Sequence, residues 1–352
     1  MVEGELIKKC LLCVLLYNLE QQVQKYEKLK IINNQPLKVY WNVPSFQCEP
    51  FKLNFTPMLD KYNIIHNVDS QFRGETITIL YDPGDFPALL TTTANGTFYR
   101  NGGVPQEGNL TLHLEVLQES ITAQIPNENY SGLAIIDFES WRPIFRQHWG
   151  SISLYKDVSI DIERQKHPTW NDNLLTKEAT RRLEEAGRTF MEESLNLAKE
   201  LRPNGLWGYY HYPYSYTNGS EESVSKQVQI ENDRISWLWK DSDVFYPSVY
   251  MRTTQSLEHQ IKFVETTLDE VFRIKKSFNT EAKVYVYVTY MYIDTKTYIP
   301  QEYMRAILTA VAGYDIEGVI LWGASNDVSG ISKCKLLYNY IDNVFGPTVM
   351  IV

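Results

Sequence analysis

Residues 132–150 read GLAIIDFESWRPIFRQHWG, and both the fold and its chemistry turn on them. An apolar run from Leu133 ends in Asp137-Phe138-Glu139, just where the polar character of the segment begins. Residues i and i+2 of a strand point to the same side, so the Asp137 and Glu139 carboxyls are expected to face one space. At the C-terminal mouth of a barrel, that space is where active sites lie. Two carboxyls sharing a cavity do not ionise independently, because repulsion and desolvation raise the proton affinity of one of them. Such a pair suits general acid catalysis near neutral or mildly acidic pH. The spacing alone leaves a structural alternative open, in which one acid pairs with Arg142 and the other caps a turn.

Outward from this stretch, short β-rich runs recur and helical patterns follow several of them. The predicted strands are Leu37–Asn42, Thr76–Tyr81, Leu133–Phe138, Leu206–Tyr210, Val244–Tyr250, Val284–Thr289 and Val319–Trp322, rich in Val, Ile, Tyr and Trp. The clearest helix is Thr176–Leu201, with Ala179, Leu183, Ala186, Phe190, Leu197 and Leu201 on one stripe. Pro203 and Gly205 then stop it. Further helices are expected near Leu110–Gln124, Leu257–Phe278, Gln301–Val311 and Ser332–Val344, and the polar stretch from Tyr210 to Glu231 reads as a surface loop. Alternating strands and helices predict a parallel sheet, and seven strands predict a single-domain α/β chain closed into a (β/α) barrel.

The chain has 352 residues, 43% of them apolar and 22% charged, which is globular composition. Its 34 Lys and Arg against 43 Asp and Glu give a net charge of −9, unlike a basic nucleic-acid binder. No apolar run approaches the roughly 20 residues that span a bilayer, so neither nucleic acid nor membrane is an expected partner. The six histidines form no H-E-x-x-H, and no G-x-G-x-x-G, P-loop or G-x-S-x-G occurs, so no metal or cofactor is expected. His148 and His167 read as hydrogen-bonding or packing residues.

Cys10 and Cys13 sit in the apolar run Cys10–Tyr17 behind Lys8-Lys9, which resembles a signal-peptide core more than a metal or redox site. The expected organisation is a signal peptide over 1–18, a lead-in over 19–36 and the barrel over 37–352. Removal of the signal leaves Cys48 and Cys334 as a candidate disulfide pair. Five N-x-[ST] sequons, at Asn54, Asn95, Asn109, Asn129 and Asn218, join these features in predicting a secreted, extracellular glycoprotein.

The segment from Gly132 to Gly150 also resembles the catalytic signature of the animal hyaluronidases, glycoside hydrolase family 56, particularly the arthropod venom and salivary type. The motifs VYWNVPSFQC (39–48), ILYDPGDFPALL (79–90), RNGGVPQEGNLTLHL (100–114), HPTW (167–170), WGYYHYPY (207–214), ENDRISWLW (231–239), YPSVYMR (246–252) and GVILWGASND (318–327) follow in family order. The resemblance implies a distorted, TIM-like (β/α) barrel and a retaining endo-β-N-acetylhexosaminidase that needs no metal or cofactor. It also implies hyaluronan, or a related glycosaminoglycan such as chondroitin, as the partner. The reaction it implies is substrate-assisted, outside the two-carboxylate covalent scheme. The sugar's own N-acetyl oxygen attacks the anomeric carbon while a protein acid protonates the leaving oxygen, and the same residue then activates water.

Carried onto this chain, the resemblance makes Glu139 the acid/base and has Asp137 hold the acetamido N–H. Tyr250 would orient the acetamido group with Tyr210 beside it, and Trp322 would pack on the acetyl methyl or the sugar face. Ser248, Tyr250 and Arg252 alternate along one strand and are expected to share a face. Tyr81 and Asp82, with Ser325, are weaker substrate contacts. Arg142 and Arg146 are expected either to meet substrate carboxylates or to neutralise the acidic pair.

Two departures from the family pattern stand out. Ser215 occupies the place where arthropod relatives usually carry a cysteine of a second disulfide, so Tyr216–Glu231 is expected to be looser. Ala324 precedes Ser325 where a serine is common. A catalytically weak glycan-binding protein on the same barrel is therefore the competing expectation.

Overall fold

Alternation along each strand builds the architecture. The computed structural model describes residues 36–92, 96–217, 219–221, 223–278 and 280–352. The expected signal peptide, nearly all of the lead-in, and the sequons at Asn95 and Asn218 lie outside the described residues. Seven strands form the barrel: β1 (Val39–Asn42), β2 (Ile77–Tyr81), β5 (Leu133–Asp137), β6 (Leu206–Tyr209), β7 (Val244–Phe245), β8 (Lys283–Thr289) and β9 (Gly318–Trp322). A hairpin of β3 (Ala88–Thr92) and β4 (Gly96–Arg100), which the sequence patterning did not predict, stands outside it. One parity of the barrel strands, including Ile77, Ile79, Leu133, Ile135, Tyr246, Tyr287 and Ile320, forms a buried cluster of its own inside the barrel. The other parity, including Ala134, Ile136, Trp207, Phe245, Val286 and Leu321, joins the larger core beneath the helices. That is the layering expected of a filled barrel rather than a pore.

Parallel pairings join β2 to β5, β5 to β6, β7 to β8, β8 to β9 and β9 to β1. Between β6 and β7 the ring is closed by the Tyr210/Tyr246 bridge and by Asp243 N–H donating to the Trp207 carbonyl at 2.9 Å. Glycine is required there, because a Cβ on Gly208 would lie 2.1 Å from the Val244 carbonyl oxygen. Where an eighth strand would stand, between β1 and β2, the chain 64–76 fills the gap. Ile65 pairs with Tyr40, and the Asn67 amide Nδ2 donates to the Ile77 carbonyl while Oδ1 accepts from the Thr76 and Ile77 N–H groups. Arg73 Nε caps the next carbonyl of that edge, Ile79, at 2.8 Å. Side chains thus satisfy strand-edge groups that a missing neighbour would leave open.

The helices are α1 (Thr56–Lys61), α2 (Leu110–Gln124), α3 (Leu154–Lys166), α4 (Asp172–Leu201), α5 (Lys226–Arg234), α6 (Ser236–Asp241), α7 (Leu257–Phe278), α8 (Gln301–Ala312), α9 (Ile331–Tyr340) and α10 (Gly346–Val349). All seven predicted strands and all five predicted helices are present. Helix α4 starts earlier than its apolar stripe suggests because Asn171 caps it, accepting from the Leu174 N–H at 3.0 Å. The strand expected over Val244–Tyr250 narrows to Val244–Phe245, followed by single bridges at Tyr246 and Ser248, since Pro247 cannot donate to a ladder.

The stretch from Tyr210 to Glu231 needs a larger correction. It is not a surface loop: Tyr212, Tyr214, Val224, Val228 and Glu231 are buried, and α5 begins inside it. Its polar composition misled because its buried polar groups find partners elsewhere in the fold, Glu231 with Arg146 and Gln147 and Tyr216 with Gln147. Ser215 Oγ, where a cysteine was expected, lies buried 3.0 Å from Thr267 Oγ1, so a hydrogen bond ties the chain at that point.

Cys48 and Cys334 are disulfide-bonded, with their Cα atoms 5.7 Å apart and 286 positions apart in sequence. Cys48 follows β1 and Cys334 lies in α9 after β9, so the bond ties the exits of two adjacent strands at the mouth. Chain-entropy reasoning over so long a loop gives an upper value of roughly 5 kcal/mol. Replacing both cysteines by alanine is expected to lower the melting temperature by up to about 8 °C, read by calorimetry. A shift below about 2 °C would show that the bond adds nothing to the β1–β9 pairing.

Candidate active site

The inward parity carries polar side chains to the C-terminal rim. Tyr81 ends β2, Asp137 ends β5, Tyr210 follows β6, Tyr250 lies on the extension of β7, and Trp322 ends β9. Tyr210, Tyr250 and Trp322 pack on the interior cluster from above. Glu139 stands two residues past the β5 rim, while Phe138 between the acids turns outward and stacks on Phe86 at 4.0 Å. Both carboxyls act on the same two phenols, Tyr81 and Tyr210, each of which feels negative charge from Asp137 and Glu139. The pairing with Arg142 that the spacing also allowed is present at Glu139, 4.0 Å away, alongside this shared environment.

The two acids differ in exposure. Asp137 is desolvated at the barrel end, and this burial, with the charges of Glu139 and Asp82, pushes its carboxyl up to about 8 against a partial offset from Arg142. Glu139 leaves 52% of its side chain exposed. Burial thus favours a proton on the deeper acid, Asp137, through neutral pH.

Aromatic side chains frame the pair. Trp322 stacks on Tyr250, ring centroids 5.9 Å apart and 17° from parallel, and its Nε1–H donates to the Tyr81 hydroxyl at 2.8 Å. Burial drives the Tyr250 hydroxyl well above its usual pKa, with the neighbouring Tyr210 adding to the effect. The Tyr250 and Tyr287 hydroxyls are buried with no hydrogen-bond partner of good geometry. Tyr250 packs on the interior cluster at the rim, where a ligand's acceptor would satisfy such a donor.

Four expected substrate contacts already hold protein partners. Arg142 Nη1 donates to the Glu139 carbonyl at 2.7 Å, and its guanidinium lies 4.7 Å over the Tyr214 ring, with Nη2 4.0 Å from Glu139 Oε2. It clamps the backbone that carries the acid. Ser248 is buried, its Oγ 2.7 Å from His211 Nδ1. Asp82 has both carboxylate oxygens on Arg100, at 2.5 and 2.9 Å. Arg146 pairs with the buried Glu231 through Nε and Nη2. Ser325 is exposed at the start of a short 3-10 turn after β9.

The motif reading passed over three residues of the site. Tyr287 lies inside the barrel beneath Asp137, and Arg100 anchors Asp82. His211, at φ +71°, holds Ser248; burial, with Arg142 nearby, lowers its pKa to about 3, so it is neutral at any working pH. Strand parity, extended along Tyr285-Val286-Tyr287, was the available signal for Tyr287. Nothing local marked the other two. His148 is structural: buried, it accepts from the Arg142 N–H through Nε2 and meets the Phe145 carbonyl through Nδ1. His167 stacks on Trp170 at 3.8 Å.

The hyaluronidase family model matches residues 26–352. The chain belongs to the hyaluronidase family. It is accordingly a glycoside hydrolase of family 56. It is 42% identical to the hyaluronidase of Apis mellifera over 325 residues, covering 90% of this chain and 85% of that one. It is also 42% identical to Hyaluronidase Tab y 2.0101 of Tabanus yao, covering 91% and 93%. Bee venom hyaluronidase, solved in complex with a hyaluronic acid tetramer, superimposes with a TM-score of 0.87 at 42% identity, covering 89% of this chain and 98% of that one. No described helix is long and apolar enough to cross a membrane.

Proposed function

We propose that the chain hydrolyses the β-1,4 bonds of hyaluronan, with chondroitin as a poorer substrate, by a retaining, substrate-assisted mechanism. The observation that carries this reading is the pair of unlike carboxyls at the β5 rim, one desolvated and one open, beside Tyr210 and the Tyr81 hydroxyl that accepts from Trp322. The acetamido N–H of the sugar donates to Asp137, which favours its carboxylate form. The proton of the pair then belongs to Glu139, which protonates the leaving oxygen. The acetamido oxygen attacks the anomeric carbon, and Asp137 stabilises the positive charge of the cyclic intermediate. Tyr250 orients the acetamido group beside Tyr210, Trp322 covers the sugar face, and Glu139 finally takes a proton from the attacking water. Tyr81 is kept neutral, its hydroxyl pushed up to about 12 by burial, and contacts the substrate as a donor. Ser325 lines the rim.

The chain is proposed to be secreted, as its apolar leader, disulfide and sequons suggest; Asn54, Asn109 and Asn129 are exposed, as glycan acceptors must be. Digesting hyaluronan with the purified protein and sizing the products tests the activity. Even-numbered oligosaccharides with N-acetylglucosamine at the reducing end, formed first as the β-anomer, are expected. First-formed α-anomers contradict retention. Binding without chain shortening supports the glycan-binding reading instead.

A further inference from the structure

The loop after β5 ends in an exposed tryptophan that the catalytic centre does not use. Trp149 leaves 46% of its surface open, although the loop carrying it is held at every side. Phe145 N–H donates to Glu184 at 3.0 Å, Arg146 and Gln147 grip Glu231, and Tyr216 donates to Gln147 at 3.1 Å. A rigid loop that keeps an indole in water is a preformed contact surface, since most large aromatic faces are buried on folding.

The ring is connected to the active site. Arg142, which clamps Glu139, lies on Tyr214; Tyr214 stacks on Tyr216 at 5.0 Å; and Tyr216 meets Trp149 edge-on at 4.8 Å. Cations border the exposed end. The Arg146 guanidinium is 5.7 Å from the Trp149 ring centroid, and Lys156 Nζ donates to the Arg146 carbonyl at 3.1 Å. The counter-charges are Glu231, buried behind Arg146, and Asp157 beside Lys156 on α3. Burial and the Arg146 charge hold the Lys156 ammonium below its usual pKa, a strain that an incoming carboxylate relieves.

We propose that Trp149, with Arg146 and Lys156, forms a distal sugar subsite in which a glycosaminoglycan chain already lying in the cleft stacks one sugar on the indole and sets a uronate carboxylate against the two cations. The inference rests on the polymer-hydrolysing reading of the cleft. The platform is separated from Glu139 by Arg142, Tyr214 and Tyr216, so a chain must extend past the cleaved bond to reach it.

The test compares high-molecular-weight hyaluronan with a hyaluronan hexasaccharide in Trp149→Ala, Trp149→Phe and Lys156→Gln. Trp149→Ala is expected to raise KM on the polymer about fivefold relative to the hexasaccharide, with Trp149→Phe retaining most of the affinity. Lys156→Gln is expected to weaken the salt dependence of polymer KM. Equal KM changes on both substrates, or none on the polymer, overturn the proposal. If the parent protein cleaves no hyaluronan, the activity reading fails instead. The platform is then judged by polymer binding in affinity electrophoresis, where Trp149→Ala must still weaken retention and unchanged retention overturns it.

Discussion

Replacing Glu139 by glutamine is expected to lower kcat on hyaluronan by about three orders of magnitude, while binding and folding persist. The size follows from the two jobs assigned to one group: it donates a proton in the first step and accepts one in the second. Glutamine keeps the shape and loses the titratable proton. The side chain is half in solvent, so the swap opens no cavity and buries no new polar group. The Arg142 clamp bonds the main-chain carbonyl of residue 139, so the loop stays in place. Reducing-end assays with a melting curve on the same sample check this. A variant with more than about a tenth of parent turnover would remove Glu139 from the acid/base role.

Asp137→Asn is expected to show the opposite signs in activity and stability. Turnover falls by about two orders of magnitude, because the cyclic cation loses a negative charge placed against it. The melting temperature, however, rises at pH 7.5 by about 2–4 °C. The sign follows from the raised carboxyl. Between the ordinary aspartate value near 4 and the folded value of about 8, the folded chain binds a proton that the unfolded chain does not. Stability therefore falls as pH climbs through that window, and an amide that never ionises escapes the loss. Below about pH 4 both states are protonated and the two proteins should melt alike. Calorimetry at pH 3.5 and 7.5 checks the pattern; equal melting shifts at both would deny the strained carboxyl.

Much of this was legible in the sequence, for identifiable reasons. Barrel strands announce themselves as apolar β-branched runs because both faces are covered, and Leu133–Asp137 was read almost to its ends. The i, i+2 rule placed Asp137 and Glu139 together, and strand parity does the same for Tyr250 and Trp322. What failed is equally physical. The hairpin Ala88–Arg100 has a second strand exposed over all but its last residue, so it carries no burial pattern to read. The Tyr210–Glu231 segment looked solvated because its polar groups are satisfied by partners elsewhere in the chain: Glu231 by Arg146, the Tyr214 carbonyl by Asn232, Ser215 by Thr267. Arg142, Ser248 and Asp82 sit near the acids in sequence or on the inward parity, yet their bonds are long-range or to main chain. Position alone could not separate a residue that touches substrate from one that supports its neighbour. Which acid keeps the proton depends on relative burial, which no spacing encodes.

The central claim is that the substrate's own amide oxygen is the nucleophile, braced by Asp137 and answered by Glu139. Its most direct test is turnover of hyaluronan oligosaccharides in which the N-acetyl groups carry zero, one, two or three fluorines. Fluorine weakens the carbonyl oxygen as a nucleophile while leaving the glycosidic bond and the cleft unchanged. The account predicts that log kcat falls steeply with each fluorine while binding changes little. A series of equal rates would contradict it.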